Sequence, residues 1–146
     1  MEDQTLDVSA LLWALDNDAN LHLMDLDTKK LNEMNFRILQ ELDLTDEQLI
    51  DFYTKLQGFK YIDDLTDLRP GTYLRWISLE DDEAVLSKGA CFCRAVFTND
   101  GTKIVLKSFL KGRVKYITLP FDDYQFFYKL TNEERVVLSA LDHLHN

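Results

Sequence analysis

Through its first sixty residues the chain repeats its apolar positions about every 3.6 residues, and from Thr72 onward at about every second residue. In "SALLWAL", Leu11, Leu12 and Leu15 form one apolar side, with Ser9 as the N-cap. "DTKKLNEMNFRILQEL" places Leu31, Met34, Ile38 and Leu42 on one helical face, behind Asp27 or Thr28 as cap. "LTDEQLIDFYTKLQGF" carries the stripe Leu49, Phe52, Tyr53 and Leu56. Thr45 and Gln48 form a capping box at its start, and Gly58 is its C-terminal stop. A turn-rich junction, "IDDLTDLRPG", ends the helical part at Pro70-Gly71.

The strand pattern opens with "TYLRWISL" (72–79) and is interrupted by the charged loop "EDDE" (80–83). Runs 90–98 and 102–110 flank "NDG", a short-range hairpin signal, and a third run, 113–119, follows "LKG". "FDDYQFFYKL" supplies a last strand. "LTNEERVVLSALDHL" is a closing helix with Thr131 and Glu134 as a second capping box and Val137, Leu138 and Leu141 inside. The pattern predicts an α+β protein. An acidic helical region over 1–67 is followed by a small curled antiparallel β-sheet or partly open barrel, with a C-terminal helix, over 68–146. The two together are expected to form one compact unit.

Registering the sheet sharpens the picture. With Asp100-Gly101 as a two-residue turn, Arg94 pairs with Lys107 and Phe92 with Phe109. Cys93/Ser108 and Cys91/Leu110 then fall on the core face. With a three-residue turn at Leu110-Lys111-Gly112, Phe109 meets Arg113 and Lys107 meets Lys115, and Leu106 meets Tyr116 on the core side. A one-residue slip would turn Arg113 and Lys115 inward, which burial disfavours. The outer face thereby gathers Phe92, Arg94, Lys107, Phe109, Arg113 and Lys115.

Charge makes that face conspicuous. The whole chain has a formal charge of −10, yet residues 88–115 hold seven Lys and Arg against Asp100 alone. Residues 1–67 hold sixteen Asp and Glu against five Lys and Arg. Like charges opposite one another in a sheet cost about 0.2–1 kcal/mol each, so a cationic row either has a use or is tolerated as solvated edge protection. Covering by the acidic half of the chain would also account for it. The leading functional expectation is a non-enzymatic protein that docks a protein partner through this basic–aromatic face. The runner-up is single-stranded nucleic acid, with Phe92 and Phe109 stacking on bases. The overall negative charge opposes the runner-up by long-range repulsion.

Other chemistry is thinner. "DNDANLHLMDLD" puts Asp16, Asp18, Asn20 and Asp27 at positions 1, 3, 5 and 12 of a calcium loop, but Leu21 occupies the position that needs glycine. Cys91 and Cys93 with His143 and His145 supply zinc ligand types at spacings that do not converge. Neither metal, and no cofactor, is expected. No nucleophile–base signature, phosphate loop or dinucleotide fingerprint is present, and the chain is expected not to be an enzyme. Two cysteines are too few for a disulfide framework, no apolar run reaches membrane-helix length, and "MEDQTLDVSA" lacks the basic and apolar regions of a secretory signal. These features predict an intracellular protein with no membrane association, in the cytoplasm or nucleus.

"LRPGTYLRWISLEDDEAVLSKGACFC" and the later "LTNEERVVLSAL" resemble small uncharacterised proteins of large double-stranded DNA viruses. Those proteins share a Pro-Gly-(Tyr)-x-Arg-Trp entry to a β domain and an acidic-capped final helix. The resemblance spans about residues 65–141 and carries no motif that maps onto a known activity. It implies a virus-encoded, intracellular, non-enzymatic accessory or structural protein, with Arg75 and Trp76 as residues to follow. Without such a role, Trp76 is a core side chain and Arg75 pairs with an acid such as Asp67.

Overall fold

The computed structural model describes residues 8–145, apart from the side chains of Val8, Ala10, Asp18, Ala19 and Leu21. Four helices and six strands follow in the order α1 (Val8–Asp16), α2 (Thr28–Gln40), α3 (Asp46–Lys55), β1 (Phe59–Tyr61), β2 (Tyr73–Ser78), β3 (Ala90–Thr98), β4 (Gly101–Leu110), β5 (Arg113–Pro120), β6 (Tyr124–Lys129) and α4 (Asn132–Leu144). The α+β class is as the pattern predicts. The chain divides into two compact units, Met1–Met34 with Leu130–Asn146, and Asn35–Lys129.

In the first unit, α1 packs with α4 and a 3₁₀ turn, Asp18–Leu23. Ala14, Leu23, Leu31 and Val137 are fully buried there. Ser9 lies inside α1 and does not cap it. Asp27 caps α2, because its Oδ1 accepts the Lys30 backbone N–H at 2.8 Å and so satisfies an end donor that has no helical partner. Its Oδ2 lies 2.8 Å from His145 Nδ1. Thr28 ties the same helix start to α4 by donating both its N–H and its hydroxyl to Asp142, each at 2.7 Å.

The second unit is the sheet with the end of α2 and α3 laid on it. Strand order is β1-β6-β2-β3-β4-β5, antiparallel at every pairing. Leu39, Phe52 and Leu56 from the helices meet Phe59, Ile77 and Phe127 from the strands. The opposite face buries Leu74, Phe92, Ile104, Leu106 and Phe126. Phe126 is enclosed by the rings of Trp76, Phe121 and Tyr124, and Phe121 lies parallel to it at 5.7 Å.

Chain length forces this sheet to roll. β5 and β6 stand four strand spacings apart, about 19 Å across a flat sheet. They are joined by three residues, Phe121–Asp123, and four residue steps reach about 14 Å when fully extended. Two features allow the curl. β2 and β3 pair only at Tyr73–Cys91 and Leu74–Ala90, and β3 carries a bulge between Phe92 and Arg94. The result is a rolled, unclosed sheet. At its entry Gly89 has φ +105°, and a Cβ there would stand 2.7 Å from the Leu74 carbonyl oxygen, so only glycine fits.

Candidate functional site

The β3–β4 turn is built on Asn99-Asp100, with Thr98 opposite Gly101. The Thr98 hydroxyl donates to the Gly101 carbonyl at 2.8 Å, which holds this turn one residue earlier than the expected Asp100-Gly101. That shift keeps each residue on its face but moves its partner, so Val96 pairs with Lys103 and Arg94 with Val105. The bulge then reverses parity below Arg94. Phe92 pairs with Leu106 and is buried, and Cys91, not Phe92, lies beside Lys107. Phe92 is thus a core residue and cannot stack on a base. Cys91 and Cys93 are half-buried, in contrast to their expected core placement, and Cys93 occupies the bulge.

The β4–β5 turn also differs from expectation. Lys111 (φ 51°) and Gly112 (φ 73°) are both left-handed, the signature of a two-residue type I′ turn. Leu110 therefore pairs with Arg113, Ser108 with Lys115, Phe109 with Val114 and Lys107 with Tyr116. This is the one-residue slip that burial was expected to forbid. It costs nothing here because the hairpin arm extends past the core, and Arg113–Tyr116 are exposed on both faces.

The site that results is an arm with two working faces. One carries Lys107, Phe109, Val114 and Tyr116, and the Lys107 ammonium sits 5.2 Å from the centre of the Phe109 ring. The other carries Leu110, Arg113 and Lys115. Arg94 is exposed on β3, away from a direct cationic neighbour. Phe109, Leu110 and Tyr116 are each more than 60% exposed. Residues 101–120 contain five Lys and Arg and no Asp or Glu. Among the described residues, no carboxylate pairs with any of these cations or with Arg94. Of the expected surface, Arg94, Lys107, Phe109, Arg113 and Lys115 are exposed or half-buried on this arm and its neighbour strand. The continuous Arg94–Lys107–Lys115 row does not form. Leu110, Val114 and Tyr116 were missed, and the signal for them was the Lys-Gly pair read as a two-residue turn.

The remaining candidates disperse. Of the calcium-loop residues, Asn20 is buried with its Nδ2 donating to the Ala14 carbonyl at 2.9 Å, Asp27 is committed to Lys30 and His145, and the Asp18 side chain lies outside the described residues. Among the described residues there is no cluster of three or more His, Cys, Asp or Glu able to hold a metal. Arg75 Nε donates to the Ser87 carbonyl at 2.8 Å, whereas Asp67 pairs with buried Lys60 at 3.7 Å. Trp76 is half-buried against Phe126. A cleft of about 240 Å³ lies between Tyr61, Asp63, Phe121, Asp122 and Tyr124, smaller than the roughly 300–1,000 Å³ of most small-molecule sites. The Tyr61 phenol is held above its ordinary value of 10.0 by burial, then by the charges of Asp63 and Glu41. No described helix is long and apolar enough to cross a membrane.

No protein-family model, curated protein or solved structure matches the chain.

Proposed function

We propose that this protein is a non-enzymatic interaction protein that docks an acidic protein partner through the β4–β5 arm. One observation carries the reading: five cations, no carboxylate and several large exposed apolar side chains share a single hairpin in a chain of charge −10. The exposed rings of Phe109 and Tyr116 and the exposed Arg113 are of the residue types enriched in interface cores, where aromatic and Arg anchors dominate the energy. The chain's negative charge is felt weakly at contact, because charges more than about 8 Å apart are largely screened at physiological ionic strength. The resemblance of residues 65–141 to proteins of large DNA viruses supports placing this docking role inside an infected cell, as a virus-encoded accessory function.

Nucleic acid is the competing ligand class, and burial of Phe92 leaves it with one fewer ring for stacking. Salt separates the two. Five phosphate contacts to a single strand would give a log–log salt slope of about −3.5. Fluorescence anisotropy with labelled single-stranded DNA and RNA at about 50 and 200 mM salt is expected to show no binding. A steep slope that vanishes in Arg94→Glu/Lys107→Glu would transfer the arm to nucleic acid. In parallel, a photo-crosslinking residue at position 109 is expected to trap a protein partner in cells. Trapping should be lost in Lys107→Glu/Arg113→Glu and retained in Lys29→Glu/Lys30→Glu. Equal trapping in all three would sink the choice of surface.

A further inference from the structure

The arm has a second property that its charge alone does not require. β5 is hydrogen-bonded to β4 on one side, and among the described residues no strand lies on its other side, so alternate backbone N–H and C=O groups along that edge face outward. Edge strands are commonly kept short, bulged, or studded with charge along their length. β5 runs for eight residues in regular register with β4, with no bulge. Its two charges, Arg113 and Lys115, stand at one end and on one face, and Pro120 closes the other end. Between them Tyr116-Ile117-Thr118-Leu119 is uncharged and rich in strand-favouring side chains. Ordinary edge protection therefore covers only half of this strand.

Resting on the reading of the arm as a docking site, the geometry points to β-strand addition: the free edge of β5 accepts an extended acidic segment of a partner protein as a seventh strand. Side chains of the added strand would alternate between faces. On the face of Arg113 and Lys115 the complement is Asp or Glu. On the face of Val114, Tyr116 and Thr118 it is an apolar or β-branched side chain, with Lys107 within one strand of it. The recognised pattern is two acidic residues at alternate positions beside Arg113 and Lys115, followed on the same face by apolar residues beside Ile117 and Leu119, over about six to eight residues. A second copy of this chain fits poorly at the same edge, because it would bring together two arms with five cations each and no carboxylate. Nucleic acid has no backbone that continues the ladder. Backbone hydrogen bonds would supply affinity and the alternating side chains specificity.

The probe is an acetylated, amidated eight-residue peptide in which glutamate alternates with threonine in one half and valine with threonine in the other. Its binding to the full chain is followed by amide chemical shifts and by calorimetry. Two further peptides carry backbone N-methyl groups on one or the other alternate set of residues. The expected result is that one N-methyl set weakens binding at least tenfold while the other changes it less than about threefold, since only one set donates to the edge. Amide protection should rise along β5, and Arg113→Glu/Lys115→Glu, shown by its urea midpoint to remain folded, should abolish binding. Equal tolerance of both N-methyl sets, with binding still lost in the charge-reversed variant, would overturn strand addition and leave docking by side chains intact. Binding that survives charge reversal would overturn both. No binding of the parent peptide, or a peptide-independent dimer by sedimentation, would overturn the acidic-strand inference.

Discussion

Phe92 and Phe109 have the same side chain and an expected pairing in common, yet they do opposite things. Phe92 is buried at 6% exposure opposite Leu106, and Phe109 stands 65% exposed on the arm. Truncating a buried Phe costs about 3–5 kcal/mol, because transfer energy is lost and a cavity remains. An exposed change away from caps and networks stays within about 0.5 kcal/mol. In urea unfolding, Phe92→Ala is expected to lose most of the protein's stability and Phe109→Ala almost none. Equal costs would show that the bulge is not where the structure has it. The exchange of roles was illegible in "GACFCRAVF". A bulge adds one residue to one strand and flips every side chain beyond it, and nothing local in that string demands one. The same flip explains why Cys91 and Cys93 are half-buried where core placement was expected.

Elements whose cause is local were readable. Both capping boxes, Thr45 with Gln48 and Thr131 with Glu134, form with both reciprocal hydrogen bonds in place. They need only the residues that spell them. β1 was not readable. It is three residues long and exists because β6 pairs with it, so its signal lies about seventy residues away. The β4–β5 turn lies between these cases: Lys-Gly admits a two-residue or a three-residue loop, and only the strands' twist selects type I′. That turn makes an element-scale prediction. A left-handed lysine costs about 1–2 kcal/mol, which asparagine reduces by bonding to its own backbone. Lys111→Asn should therefore raise the urea midpoint, with a gain of up to about 1 kcal/mol, and Gly112→Ala should lower it by a similar amount. No gain from Lys111→Asn, with Gly112→Ala still destabilising, would favour the three-residue loop, in which Gly112 alone is left-handed.

At the scale of the whole molecule, the acidic chain has a pH dependence that can be assigned to named carboxylates. Asp27 is held below its ordinary value of 3.8, first by the Lys30 backbone N–H and then by His145; Asp64 is lowered likewise by the Thr66 backbone N–H. A lowered folded value means the folded state binds its proton later than the unfolded chain does. The resulting stabilisation is complete well above pH 3.8 and is lost as pH falls through 3.8 and on through the lowered folded value. Asp27→Asn keeps an acceptor for Lys30 but removes the charge facing His145, which lies 2.8 Å away. At pH 6 the variant should unfold at lower urea than the wild type, and hydrogen exchange should be faster in the first turn of α2. As pH drops from about 5 to about 2.5 the two proteins should converge, because the wild-type carboxylate becomes neutral as well. A gap that stays constant over that range would show that the shape of the cap, and not its charge, holds the start of α2.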